Sequence, residues 1–440
     1  MAGITIARSL TTLAATVVLT AGSAVGAVGA SAAPGPAEPD ATGVRAALQR
    51  VVDAGAPGVF AVIRDHGSAE RGRTLTVGKA DLGGTPMNAG WRFRVGSNSK
   101  MFTSVLIMRL AEQGRIDLDK PLREYLPAGT LPESWSITAR QVLEHRAGVY
   151  DHTNDLLEQS GEETTAAFEK RIRDNVYEPK DLVAMSVKHG LQYTPGTAYA
   201  YSNTDFVLMG LAAEHLTGRP YAQLLREQIF EPLKLRQTTF TVPEKTIAGP
   251  HITGYLTNDD RGKPLLDSTE QTASWVWSAG GVVSSARDLD RFMTALLAGD
   301  RGGLVSDESL RQMTSVLPTP TAKISYGLGV REIALSCGKV LGHGGIVQGY
   351  QTQTFSTRDG KRTVVLFANA SNNGAVTSGL TNTLEPAFCG RAPAAASPRR
   401  SITGNGNGNG NGNGNGSGNG NTNADTNGGR WIPTVEDTRI

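Results

Sequence analysis

The chain has 440 residues but only two cysteines, Cys337 and Cys389, and seven histidines scattered singly. No histidine or cysteine cluster has metal-ligand spacing, so neither a metal nor another cofactor is expected. Charge of one sign is lacking too. Lys plus Arg number 43 against 41 Asp plus Glu, a formal net charge of +2. That balance gives no electrostatic reason to expect a nucleic acid or an anionic membrane as partner. After the N-terminal segment, no run is long and apolar enough to span a bilayer. What is present is 39% hydrophobic residues, enough for a large, enzyme-sized core.

The first segment combines Arg8, an apolar stretch and then small residues, with Ala30-Ser31-Ala32 in the A-x-A form of a signal-peptidase site. It predicts a secretory signal over residues 1–32 and a Pro/Ala-rich spacer over 33–42. A membrane anchor is the competing reading, against which the short, Thr/Gly/Ser-diluted run argues. Export suits two cysteines that can oxidise. A bridge would close a loop of about fifty residues, worth on the order of 4 kcal/mol; two unrelated buried thiols are the alternative. Residues 43–391 alternate helix-like and strand-like stretches. Residues 392–440 hold "GNGNGNGNGNGNGSGNG", which cannot bury apolar surface and is expected to be disordered.

Strands are predicted in "GVFAVIRD" and "TLTVGKA", then again in "YGLGVREIAL", "GYQTQTFST" and "RTVVLFAN". The middle is mostly helical, and one closing helix is expected near "AVTSGLTNTLEPAF". This pattern implies one sheet built from both chain ends, about 43–96 and 270–391. A helical lobe over about 97–269 would leave a cleft between the two.

Within that frame, "RVGSNSKMFTSVLIMRLAEQG" places Ser97 and Lys100 one turn apart where an apolar helix begins. The helix dipole favours an oxyanion at Ser97. A dry cleft favours a neutral lysine, and lowering Lys100 from about 10.4 to about 7 takes roughly 4–5 kcal/mol, which burial can supply. The pair can be an activated nucleophile and its proton partner. Alone the pattern is cheap, because Ser336-Cys-Gly-Lys339 repeats it between strand-like segments. Two further features add to it. Tyr201-Ser-Asn203 points a phenol and an amide the same way if extended. His343-Gly344-Gly345 leaves a strand without a side-chain wall, against which a substrate backbone can lie. A buried tyrosine with a turn asparagine, and a plain hairpin, are the bland alternatives.

Ser-x-x-Lys, Tyr-x-Asn and a basic-x-Gly triad in that order resemble the penicillin-recognising acyl-serine enzymes. More closely, the chain resembles the secreted serine D-alanyl-D-alanine carboxypeptidases with the class C β-lactamase-like fold. The likeness runs from about Gly43 to Gly390 and includes "EHRAGVYDHTND", "DSTEQTASW", "HGGIVQGY" and both cysteines. It implies an α/β (α+β) fold with an antiparallel sheet flanked by helices plus an all-helical lobe, and the site in the cleft between them. It implies Ser97 as the acylated nucleophile, with Lys100 and Tyr201 sharing the base work. Asn203 would hold the acyl-side amide, His343 the basic position of the third motif, and Gly345 the bare strand. The backbone N–H groups of Ser97 and Ile346 would form the oxyanion hole. Arg331 would meet the substrate's terminal carboxylate, and Trp275 and Gln348 would line the cleft.

Three departures stand out. Gly344 and Ile346 occupy positions where the family's carboxypeptidase has threonines, and Leu157 stands where an aromatic is expected. Losing one charge-assisted hydroxyl contact costs about 1.5–3 kcal/mol, which blurs the preference for a C-terminal D-alanine without removing acyl transfer. The resemblance therefore implies a secreted, cell-wall-directed carboxypeptidase acting on peptidoglycan stem peptides and acylated by β-lactams. A related esterase, D-amino-acid amidase or β-lactamase is the alternative. A non-catalytic cell-wall binding protein is the rival from another class.

Overall fold

A computed structural model of the chain describes residues 38–66, 72–157 and 164–390. The expected signal, most of the expected spacer and the Asn/Gly-rich tail lie outside the described residues. Helix α1 (Ala41–Asp53) opens within the stretch read as spacer.

Eight strands form the main sheet among the described residues. They are β1 (Gly58–Asp65), β2 (Arg73–Gly78), β3 (Leu317–Pro318), β4 (Ile324–Tyr326), β5 (Arg331–Leu335), β6 (Gly338–Val347), β7 (Tyr350–Thr357) and β8 (Arg362–Ala368). Their order is β2-β1-β8-β7-β6-β5-β4-β3, and every neighbouring pair is antiparallel. The sheet thus joins both ends of the chain, with β1 set against β8 from Val59 opposite Ala368 to Asp65 opposite Arg362.

Period-2 alternation explains why these strands read as continuous apolar runs: both faces are covered. Val59, Ala61 and Ile63 of β1, with Val364, Leu366 and Ala368 of β8, pack against α1 and two C-terminal helices. The intervening Phe60, Val62, Val365 and Phe367 belong to the larger core on the other side. There Phe60, Phe93 and Phe367 meet with ring centroids 4.5–5.6 Å apart.

That larger core contains helix α2 (Ser99–Glu112), buried on nearly all sides from Ser99 to Met108. Its apolar residues Met101, Phe102, Val105, Leu106, Ile107, Met108 and Leu110 are all within that core. It packs beside α3 (Asn203–Thr217), equally buried over its first half. Between them comes a short helix, Trp277–Gly280. Helix α4 (Ala286–Leu297) is amphipathic in contrast; Ser285 caps it, and Leu289, Phe292, Met293 and Leu296 face inward.

The middle of the chain is mostly helical but not wholly so. Thr239–Phe240 pairs with Val282–Ser284, which also pairs with Phe93–Arg94. Tyr255–Leu256 pairs with Ala370–Ser371 and with Leu266–Asp267. These pairings stitch the middle to the sheet. The single closing helix expected from the sequence is two, α5 (Gly374–Asn382) and α6 (Leu384–Cys389). Pro386 accounts for the break, because its ring has no N–H and clashes with the carbonyl four residues back.

Cys337 and Cys389 form a disulfide that ties the β5–β6 turn to the end of α6, across 52 residues of sequence. Replacing both cysteines by serine is expected to lower the unfolding free energy by about 2–4 kcal/mol, read from urea titrations of oxidised wild type and variant.

Candidate active site

Ser97 lies in a single 3₁₀ turn, Gly96–Asn98, that runs straight into α2. Two glycines make the approach possible. Gly96 has φ +53°, and a Cβ there would stand 2.7 Å from the Ile346 carbonyl oxygen. A Cβ on Gly345 would stand 2.1 Å from the Val95 carbonyl oxygen and 2.9 Å from the Ser97 nitrogen. Strand β6 therefore passes directly along the serine's turn. Its pairing with β5 ends at Gly342, so residues 343–347 have no β5 partner on that side. The backbone of Ile346 sits against Gly96, beside Ser97, where the oxyanion donors were expected.

One turn on, Lys100 is completely buried. Its Nζ donates to Asn203 Oδ1 at 2.7 Å and to the Ala279 carbonyl at 3.1 Å, and lies 3.0 Å from Ser97 Oγ. Burial holds the amine well below the ordinary lysine range, and the nearby Arg331 charge lowers it further; Asp151 and Asp205 pull the other way. A neutral amine has two N–H bonds and one lone pair. Both neighbours other than serine are oxygens that can only accept, so the two N–H bonds are committed to them. The lone pair faces the Ser97 hydroxyl.

Tyr201 Oη donates to the same Ser97 oxygen at 2.8 Å. Burial raises its phenol well above the usual range despite Arg331, so it stays protonated and donates. The Arg331 guanidinium carbon is 5.5 Å from the Tyr201 ring centroid. The structure thus brings Ser97, Lys100, Tyr201, Asn203 and Arg331 to one place.

Other expectations are corrected. His343 does not touch Ser97: its Nε2 bonds Tyr326 Oη at 2.9 Å, and Nδ1 faces the Gly344 carbonyl. Burial, then Arg331 and Lys100, push its pKa well below the ordinary value, so the basic position of the third motif holds a neutral imidazole. Asn203 does not turn its amide N–H groups to the cleft. Nδ2 donates to Asp151 Oδ2 at 3.0 Å, and the side chain is buried. Trp275 lines no cleft, being 1% exposed within the large core. A Cβ on Gly344 would point to Gln353 Oε1, 2.7 Å away. Side chains at 344 therefore start against β7, while those at 343 and 345 start on the Ser97 side. Gln348 is nearly buried just past β6, with its carbonyl taken by Gln271. Leu157 is half-buried against the core. The second Ser-x-x-Lys sits at the β5–β6 turn, with Lys339 on Glu332 at 2.8 Å and Ser336 on Glu385, far from any helix start.

The structure also gathers residues outside the three motifs. His145 Nδ1 lies 2.8 Å from Asp205 Oδ2, both fully buried, and the His145 ring packs 4.3 Å from that of Tyr201. Burial pushes the imidazole well below and the carboxyl well above their ordinary values. The Ser202 N–H also points at Nδ1, 3.3 Å away. Asp151 and Tyr326 complete the shell. The quoted stretch "EHRAGVYDHTND" already contained His145 and Asp151, but nothing in its order says which face they take.

Residues 44–386 match the family model described as Beta-lactamase. A D-aminopeptidase of Cereibacter sphaeroides is 30% identical over 370 residues, covering 80% of this chain and 65% of that protein. The D-alanyl-D-alanine-carboxypeptidase/endopeptidase AmpH of Escherichia coli is 30% identical over 208 residues, covering 47% of this chain and 49% of that one. The chain thus spans less than two thirds of the length of these curated relatives. The crystal structure of a D-stereospecific amidohydrolase from Streptomyces sp. superposes with a TM-score of 0.69 at 33% identity, over 80% of this chain and all of that one.

The close approach of β6 to the nucleophile's turn can be tested directly. Gly345→Ala is expected to retain the folded circular dichroism spectrum while the rate of Ser97 acylation falls by about two orders of magnitude. A wild-type rate would show that β6 takes no part.

Proposed function

We propose that this chain, which belongs to the beta-lactamase family, is a serine acyl hydrolase and, within that family, a secreted D-alanyl-D-alanine carboxypeptidase acting on peptidoglycan stem peptides. The observation that carries the chemistry is the position of Lys100 Nζ, 3.0 Å from Ser97 Oγ, with Asn203 Oδ1 and the Ala279 carbonyl as its other partners. Lys100 takes the Ser97 proton as Oγ attacks the scissile carbonyl. The N–H groups of Ser97 and Ile346 receive the oxyanion. Tyr201, already hydrogen-bonded to Oγ, is placed to donate to the departing nitrogen. The amine leaves as D-alanine. Water then adds to the acyl-enzyme by the reverse proton path, releasing the shortened peptide and restoring Ser97. Arg331, beside Tyr201, supports a substrate with a free carboxylate, because a guanidinium matches that group in shape and charge.

A second reading has its own support. The names of the D-aminopeptidase and the D-stereospecific amidohydrolase point to D-configured donors other than stem peptides. In that reading the same acyl-enzyme forms from a D-amino-acid amide or an N-terminal D-residue.

Mass spectrometry after benzylpenicillin treatment tests the shared chemistry. An adduct on the Ser97 peptide is expected, absent in Ser97→Ala and formed about 10²–10⁴ times more slowly in Lys100→Ala. Because burial depresses the lysine, acylation should rise with pH along a limb well below the ordinary lysine value of about 10.4. Rates on a D-Ala-D-Ala peptide and on D-alanine amide separate the two readings. Turnover of the amide with a silent peptide would overturn the carboxypeptidase assignment.

A further inference from the structure

We propose that Asp151 is a positioning residue for the acyl-transfer base: it orients the Asn203 carboxamide so that its oxygen meets Lys100, and thereby turns the amine's lone pair onto Ser97. This deepens, and rests on, the reading of Lys100 as the base of Ser97.

The argument is one of donors and acceptors. An ionised carboxylate can only accept. Asp151 Oδ1 takes the Thr153 backbone N–H at 3.1 Å, and Oδ2 takes Asn203 Nδ2 at 3.0 Å. The Asn203 side chain is buried, so solvent cannot serve either end of it. With Nδ2 on Asp151, Oδ1 falls 2.7 Å from Lys100 Nζ. The flipped amide would set an oxygen against a carboxylate and an NH₂ against the amine's own donors. Asp151 therefore selects the orientation. Asn203 and the Ala279 carbonyl then hold two N–H bonds, which leaves the third direction for Ser97.

Thr153 Oγ1 also accepts from Asn203 Nδ2, at 3.4 Å, but a hydroxyl can donate or accept and so serves either end of an amide without selecting its orientation. No other neighbouring group takes over this task. His152, 4.0 Å from Asp151, has its ring nitrogens on Thr204 and on the Trp275 carbonyl. Asp205 is turned to His145. His343 is held by Tyr326 and the Gly344 carbonyl. Tyr201 faces Ser97, and Arg331 adds positive charge from the β5 side. Asp151 also acts through space: among these groups its negative charge is the main one opposing the effect of burial on Lys100.

Orientation and charge can be separated. Asp151→Asn keeps an oxygen able to accept from Asn203 but removes the charge. Asp151→Ala removes both. Full-length protein labelled with [ε-¹³C]lysine, with the Lys100 signal assigned by its loss in Lys100→Ala, gives the lysine's own titration without any need for activity. For Asp151→Asn the Lys100 midpoint and the acid limb of Ser97 acylation by benzylpenicillin should both move down by about one pH unit, with the plateau rate within a few-fold of wild type. For Asp151→Ala the plateau should fall about ten- to hundredfold, in the acylation step rather than in KM. Should the Asp151→Ala variant not fold, Asp151→Ser, whose shorter side chain cannot reach Asn203 Nδ2, is read in the same way. An unmoved Lys100 midpoint in Asp151→Asn would overturn the proposal, as would wild-type acylation in Asp151→Ala. A Lys100 midpoint that moves in a protein whose Ser97 never acylates would leave Asp151's role standing and sink the enzymatic reading.

Discussion

An amine with no contact to water must either find an anion or give up its proton, and the surroundings of Lys100 favour the second. Three oxygens lie within 2.7–3.1 Å of Nζ, and none is a carboxylate. The nearest negative charge, Asp151, is held one residue further out by Asn203. Were that carboxylate in direct contact, a buried ion pair would stabilise the ammonium, and the lone pair would be lost. Inserting a neutral amide between them keeps the orienting power of the charge while weakening its pull on the proton. Most of the polar architecture around Ser97 follows from this spacing.

The fold supplies the rigidity that such spacing needs. Helix α2 is buried on all sides, so the Ser97–Lys100 separation is fixed by one helical turn inside close-packed surroundings. Helix α3 delivers Asn203 from its first position, and the helix Trp277–Gly280 delivers the Ala279 carbonyl. These segments are far apart in the chain but share one core with the inner face of the sheet. The opposite face of the sheet is sealed by α1, α5 and α6, with the disulfide at its rim. Strand β6 can then pass beside the nucleophile because Gly96 and Gly345 remove the two Cβ atoms that would collide with backbone.

How far the sequence anticipates this depends on how local each signal is. Ser97 and Lys100 are one turn apart at a helix start, and the helix is legible because an apolar-rich stretch follows them and ends at Gly114. Tyr201 and Asn203 are legible as a pair only because extended residues two apart share a direction. The sheet's assembly from both chain ends is readable from where β-branched runs fall. The direction of a side chain within a strand is less so. His343 and Gly344 are adjacent, and only the register with β7 shows that position 344 turns toward Gln353 while 343 turns toward Tyr326. Trp275 reads equally well as cleft or core until burial is known. The His145–Asp205 and Asp151–Asn203 bonds span 60 and 52 positions, and no local pattern links such partners.

The neutrality of His343 reshapes the question of specificity. A cation at the third motif would attract the carboxylate of a leaving residue and also stabilise charge near Ser97. Here desolvation removes that charge, and Tyr326 holds the ring away from the serine. The positive charge beside the reacting groups comes instead from Arg331 at the start of β5, packed on Tyr201. That one guanidinium lowers the basicity of Lys100, opposes the burial shift of Tyr201 and disfavours protonation of His343. A substrate carboxylate docking on Arg331 would therefore do more than bind. By neutralising the guanidinium it would raise the basicity of Lys100 just as the scissile bond arrives, so recognition of the leaving residue and activation of the nucleophile would be coupled through a single charge.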